Sequence, residues 1–292
     1  MSQIRLTCDR LGDLVRVAVW QGKVLRDLYV NRSHDPDLSG AIVCAKIVRV
    51  LPGGKGGWAE AGLAARLYFE TTENVCTGAV HAFRILSTIG EGKAWPSVLL
   101  TDDGEASAVG LIAPPPTPWQ AALADLKEIP SSMAFAEKED YDKAFREQGA
   151  ETKISLCYEP QNVHPELDDV WPGLFEAEVP LPGGASLLIE PTRALVAIDI
   201  NAGEKGAPLE INLLALREAA RQIRLRALSG LIVIDALKMK NRTDNAKVLR
   251  VLSEATSTDP AGVQVFDMTK LGLIELTRKR RGPPLNIWVH EE

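Results

Sequence analysis

The chain has 292 residues and 46% apolar content, enough for a real core and for two or three domains. A net charge of −6 argues against nucleic-acid binding over the whole surface. The four cysteines (Cys8, Cys44, Cys76, Cys157) include no C-x-x-C pair, so neither a disulfide scaffold nor a structural zinc is expected. Without a signal-peptide stretch or a run of about 18 apolar residues, the expectation is a soluble cytoplasmic protein with no membrane contact.

Residues 1 to 33 read as a β-hairpin unit, with VRVAVW and KVLRDLYV flanking a Gln-Gly turn. SHDPDLSG, Ser33 to Gly40, is a linker. Five short strand-like runs follow between residues 41 and 99: AIVCAKIVRV, GGWAEAG, ARLYFE, AVHAFRIL and WPSVLL. With Gly, Asn or Pro between them, they suit a small barrel of a kind that often binds oligonucleotides. GGKGG, Gly53 to Gly57, lacks the G-K-[ST] ending of a phosphate loop and reads as a flexible turn of that barrel. APPPTP then leads into a helix, WQAALADLKE, and strands MAFAE and KISLCYE lie around the helix DYDKAFREQG. Acidic, Pro-rich sequence closes this part near Pro182.

The last third is the most regular. ASLLIE and ALVAIDI are strands, and Glu210 to Leu228 is a helix with apolar positions near i, i+3 and i+4. Gly230 is its stop signal, LIVID is a strand, and Asn245 to Thr256 is a second helix. VQVFD and LGLIELTRK are strands. Strand, helix, strand at these lengths implies parallel neighbours joined by a crossover.

Two apolar runs here end alike, ALVAIDINAG at Asp199 and GLIVIDALKM at Asp235. Unbroken apolar runs indicate interior strands, and ligand groups gather beyond the carboxyl ends of such strands. If the two strands are neighbours, their carboxylates come within reach of one cation. Like charges this close repel unless a cation or a proton separates them. Hard oxygen donors suit Mg²⁺ or Mn²⁺. Asn201 offers an amide on the same side, and Asp267, ending VQVFD, is a weaker third candidate. Strand-end aspartates are also common turn formers, so the pattern by itself names no reaction.

Charge is uneven along the chain. Arg221 to Arg281 holds thirteen Lys and Arg against six Asp and Glu, a local +7 that leaves −13 on the rest. Such asymmetry points either to a localised anionic partner or to solvated helix faces. Arg221 and Arg224 on the long helix, Arg278 and Arg280 after the last strand, and Lys205 in the loop NAGEKGAP are the candidate phosphate-backbone contacts.

Together these residues resemble the ribonuclease E/G family. The match runs through VPLPGGASLLIEPTRALVAIDINAG, EAARQIRLRALSGLIVIDALKM and GLIELTRKR, and more weakly through GAIVCAKIVRVLPGGKGGWAEAG and HAFRILSTIGEGK. The resemblance implies an α/β multidomain chain. It has a ribonuclease-H-like part (1–40 and 100–178), an inserted short OB-type RNA-binding barrel (41–99) and a deoxyribonuclease-I-like catalytic domain (179–292). It implies Mg²⁺ held by Asp199 and Asp235, with Asn201 beside them. It also implies internal cleavage of single-stranded RNA to 5′-phosphate and 3′-hydroxyl ends. Trp58, Tyr68 and Phe69 are the candidate RNA-facing aromatics of the barrel, or members of its core.

The chain also departs from the family pattern. Lys238 stands where an acid is usual, and the long helix keeps Asn212 but has Leu214 in place of glutamate. The 5′-monophosphate sensor segment is largely missing after Val98 and its arginine–threonine pair has no match, so the resemblance does not extend to a preference for 5′-monophosphorylated RNA. The C-x-x-C zinc link is absent, so a monomer or dimer is expected rather than a zinc-linked tetramer. The alternatives are a non-catalytic RNA-binding protein of the same fold and a phosphodiesterase for small substrates.

Overall fold

Strand signals dominate the first hundred residues, and the chain there forms two separate β structures. The computed structural model describes residues 3–88, 94–100, 108–149, 152–160, 165–204, 206–239 and 241–288. Residues 31–121 with 281–283 make one compact unit, and the remaining described residues make the other.

The expected hairpin is present as β2 (Leu14–Gln21) and β3 (Val24–Arg32), with β1 (Ile4–Leu11) antiparallel to β2 on its other side. From Leu14 to Trp20 every residue of β2 is buried, including Arg16. A buried cation is tolerable only when paired. Arg16 binds Asp9 through two bonds and Asp168 through a third, and its guanidinium lies 4.9 Å from the centre of the Trp171 ring.

All five barrel strands fall where the runs predict: β4 (Ile42–Val50), β5 (Gly56–Glu60), β6 (Leu67–Glu70), β7 (Val80–Ile85) and β8 (Trp95–Leu100). Their order is β5-β6-β8-β7-β4, and a β4–β5 pairing closes the barrel. β9 (Gly110–Ala113) adds to β4. Val43, Ile47, Leu67, Phe69, Phe83 and Ile85 fill the interior. Gly56 and Gly57 belong to β5, which corrects the reading of GGKGG as one flexible turn. A Cβ on Gly57 would lie 2.0 Å from the Arg49 carbonyl oxygen, so this strand can close on β4 only without a side chain there.

α1 (Pro118–Asp125) precedes β10 (Ser132–Phe135), α2 (Lys138–Gln148) and β11 (Ser155–Tyr158). β10 and β11 extend the first sheet in the order β11-β10-β1-β2-β3, with both β1–β10 and β10–β11 parallel. α3 (Pro165–Val170) lies in the acidic, Pro-rich stretch that carried no helix signal.

The second sheet holds β12 (Glu178–Pro180), β13 (Ser186–Pro191), β14 (Val196–Asn201), β15 (Gly230–Asp235), β16 (Val263–Met268) and β17 (Leu273–Arg278). α4 (Pro208–Leu225) joins β14 to β15, and α5 (Arg242–Thr256) joins β15 to β16. The order is β12-β13-β14-β15-β17-β16, with β14 and β15 parallel as the crossover requires. Ile198, Ile200, Ile232 and Ile234 pack with Leu216 and Ile223 of α4 and Leu252 of α5. Each such isoleucine contributes about 2 kcal/mol of burial. The other face of these strands is less covered, and Leu231 is 42% exposed. The apolar runs therefore mark central strands with one covered face, not strands buried on both.

α4 begins with Pro208 at its first position, where the missing N–H costs nothing. It ends at Leu225, short of the expected Leu228. The Leu228 N–H bonds the Ile223 carbonyl, and Ala227, at φ 51°, bonds the Arg224 carbonyl through its N–H. The left-handed stop is thus Ala227, and Gly230 opens β15 instead. Among the described residues no helix is long and apolar enough to cross a membrane.

Candidate active site

The parallel register of β14 and β15 sets Asp199 directly beside Asp235. Neighbouring strands lie about 4.8 Å apart, so the two carboxylates share one face at adjacent positions. Across the sheet the row runs Leu188, Asp199, Asp235, Leu273, and both leucines are half-buried. Asp199 is half-buried and Asp235 exposed. Among the described residues neither carboxylate takes part in a hydrogen bond or an ion pair. Asn201 follows on the same face by strand alternation, exposed and opposite Ser186.

Both strand ends are held from behind. Beyond β14, Gly203 lies against the Pro182–Gly184 turn, where a Cβ would sit 2.3 Å from the Gly183 carbonyl oxygen and 2.7 Å from the Ala185 nitrogen. This contact requires glycine at 203, while Gly183 and Gly184 take positive φ of 80° and 79°. Beyond β15, the Asn212 amide donates to the Leu237 carbonyl at 2.9 Å and accepts the Leu237 N–H at 3.0 Å. Asn212 is fully buried on the apolar side of α4 and supplies what a further strand would otherwise offer. Its only trace in the sequence is an amide at a position whose neighbours one turn on, Ala215 and Leu216, are core.

Asp267 reaches the same edge but on the outer strand β16, with β17 between it and β15. It lies in an irregular part of the strand pairing, its carboxylate accepting the Met268 N–H, so it stands apart from the pair. Among the described residues no group of three or more His, Cys, Asp or Glu side chains is placed to hold a metal. Lys238 is exposed immediately after the clamped Leu237. Lys205 lies outside the described residues, as does residues 89–93 of HAFRILSTIGEGK.

The arginine candidates are placed elsewhere. β17 pairs Leu273 with Asp235 and Arg278 with Gly230, so Arg278 sits at the opposite edge of the sheet, about 17 Å along the strands. It is buried, binds Asp259 at 2.8 and 3.1 Å and donates to the Leu228 carbonyl. Arg224, near the end of α4, is held by the buried Asp27 of β3 and by Thr258. Arg221 binds Glu218 and the Leu25 carbonyl. Each of these three arginines, expected as a phosphate contact, is engaged in bonds within the fold. Arg280 is exposed at that same far edge. Arg226 is buried beside them, and desolvation holds its pKa below the ordinary range.

In the barrel, Phe69 is core, 5.0 Å from Phe83 between ring centres. Trp58 and Tyr68 are half-buried partners on β5 and β6, 5.7 Å apart, with the Arg49 guanidinium 5.2 Å from the Trp58 ring.

Known proteins resemble this chain over part of its length. The model of the ribonuclease E/G family matches residues 123–281, more than half of the chain. "Ribonuclease E/G-like protein, chloroplastic" of Arabidopsis thaliana is 37% identical over 135 residues, 43% of this chain and 14% of that protein. "Ribonuclease E" of Nostoc sp. is 43% identical over 115 residues, 37% of this chain and 17% of that protein. "Ribonuclease E" of Escherichia coli is 40% identical over 129 residues, 42% of this chain and 12% of that protein. The matched stretch thus spans under a fifth of each of these relatives, and by its family match the chain belongs to the ribonuclease E/G family.

Proposed function

We propose that the chain is a metal-dependent endoribonuclease that cuts single-stranded RNA internally in RNA processing or decay, leaving 5′-phosphate and 3′-hydroxyl ends. One observation carries this reading. Two carboxylates, Asp199 and Asp235, stand side by side with no protein cation between them among the described residues. Like charges directly beside one another in a sheet repel, so this placement favours a bound counter-ion. Two carboxylates that leave the remaining positions to water and phosphate fit Mg²⁺, and Mn²⁺ as well. When bound, the ion supplies water activation and charge neutralisation for phosphodiester hydrolysis.

The protein's own residues supply the placement. Asp199 and Asp235 hold the ion, and the Asn201 amide orients a carboxylate or a phosphate oxygen. The Gly203 contact and the Asn212 clamp keep the two strand ends from drifting, which matters because small displacements at a reaction centre are costly. The barrel is read as OB-type, with Trp58 and Tyr68 on the strand face such folds use for stacking bases. Residues 1–40 with 100–178 are read as ribonuclease-H-like, and 179–292 as deoxyribonuclease-I-like. Exposed Arg280 is retained as a distal backbone contact. We place the protein in the cytoplasm, as a monomer or dimer.

RNA binding without cleavage is the second reading, favoured by Lys238, exposed three residues after Asp235 where the family usually has an acid. Incubation with 5′-labelled single-stranded RNA, with and without Mg²⁺ or Mn²⁺, decides between the two. Metal-dependent internal cuts that disappear in Asp199→Asn and Asp235→Asn support the nuclease. Binding without cuts in the parent chain rejects it.

A further inference from the structure

The turn between β16 and β17 rises from the same sheet edge as the two aspartates, because Leu273, the first residue of β17, is the register partner of Asp235. Three hydrogen bonds close it. The Gly272 N–H donates to the Thr269 carbonyl at 3.0 Å, and the Thr269 N–H to the Leu273 carbonyl at 2.8 Å. The Leu273 N–H donates to the Thr269 hydroxyl oxygen at 3.1 Å. Held this way, the turn carries Lys270 and Leu271 at its two central positions, both exposed.

Leu271 is 80% exposed, more than any other large apolar side chain among the described residues. Tight turns draw on Gly, Asn, Asp and Ser, and leucine contributes nothing to forming one. An isolated exposed leucine on an arbitrary surface needs no explanation. This one stands in the turn two residues from Leu273, the register partner of Asp235. Charge makes the second argument. Asp199, Asp235 and Asp267 all lie at this edge and would repel a polyanion, whereas Arg221, Arg224 and Arg278 are engaged in bonds within the fold. Lys270 makes no ion pair among the described residues and supplies positive charge where the substrate must approach.

We propose that the Thr269–Gly272 turn is an RNA-contacting element of this site, with Lys270 on a backbone phosphate and Leu271 against the face of an adjoining base or ribose. The assignment rests on the nuclease reading for its substrate class.

Binding of a fluorescein-labelled single-stranded oligoribonucleotide tests it, measured by anisotropy over a salt series in the Asp199→Asn background. Leu271→Ser, Lys270→Gln and a distant control, Val24→Ser at another exposed apolar residue, are compared. All sites are exposed, so melting temperatures stay unchanged. Leu271→Ser weakens binding about fivefold at every salt concentration, as loss of one apolar contact does. Lys270→Gln weakens binding and lowers the slope of log affinity against log salt by about 0.7, the loss of one phosphate contact to a single strand. Val24→Ser changes neither.

If the parent chain cuts RNA while both turn variants bind and cut like the parent, the turn assignment is wrong and the nuclease reading stands. If the parent binds RNA without cutting it and the turn variants weaken binding, the assignment holds and the nuclease reading fails. No RNA binding by the parent chain overturns both.

Discussion

The two edges of the second sheet carry opposite kinds of charge in opposite states. At the edge where β14 and β15 end, Asp199 and Asp235 stand together without protein partners among the described residues. At the other edge, Arg224 and Arg278 are buried or nearly so, and each is held by a buried carboxylate. By charge density alone, the arginine-rich edge would pass for the phosphate-binding one. Its cations are already satisfied, so they stabilise the fold and have little left for a ligand. The acidic edge would gain from binding a cation, which is what a metal site requires. An unmet charge marks function better than an abundant one.

Variants at the two edges should therefore fail differently. Asp199→Asn or Asp235→Asn is expected to slow RNA cleavage about a thousandfold, roughly 4 kcal/mol on the barrier. Neither should lower the melting temperature in metal-free buffer, since each relieves a like-charge contact. Asp259→Ala at the other edge should cost about 3 kcal/mol in urea unfolding, because it strands the buried Arg278 guanidinium. Cleavage by the fraction still folded should stay near the parental rate. A catalytic defect in Asp259→Ala larger than its loss of folded protein would mean that the edges are not independent.

Changes behind the aspartates sharpen the same comparison. Gly203→Ala forces backbone apart at Gly183–Ala185 and is expected to cost about 2–3 kcal/mol, with slower cleavage as well. Asn212→Leu keeps the core filled but leaves the Leu237 N–H and carbonyl unpaired, a loss of about 2 kcal/mol. Amide exchange near Leu237 should speed up while the Gly203 side is unchanged. Ala227→Gly is the smallest effect and has the opposite sign. Removing the Cβ at φ 51° should stabilise the chain by up to about 1 kcal/mol, read as a small rise in melting temperature with cleavage unaffected.

Much of this was legible in the residues. The five barrel runs and the β14–α4–β15 unit follow from local periodicity, which acts within a few residues. The left-handed stop of α4 did not follow, because Ala227 accepts a conformation usually given to glycine, held by bonds back to Arg224 and Ile223. The internal partners of the arginines did not follow either, for a similar reason. Arg224 finds Asp27 across 197 positions of chain, and a lone arginine on a helix shows nothing of such a partner.

The sequence by itself determined that two Ile-Asp runs end as strands and that a crossover helix makes them parallel neighbours. It also determined which glycines and apolar residues each strand carries. Only the tertiary structure decided that the pairing register puts Asp199 beside Asp235 rather than a residue off. It likewise decided which charges are paired and that a buried amide from α4 closes the end of β15. Periodicity is a property of adjacent residues, whereas register and charge pairing depend on which distant segments pack together, and that is settled only when the whole sheet assembles.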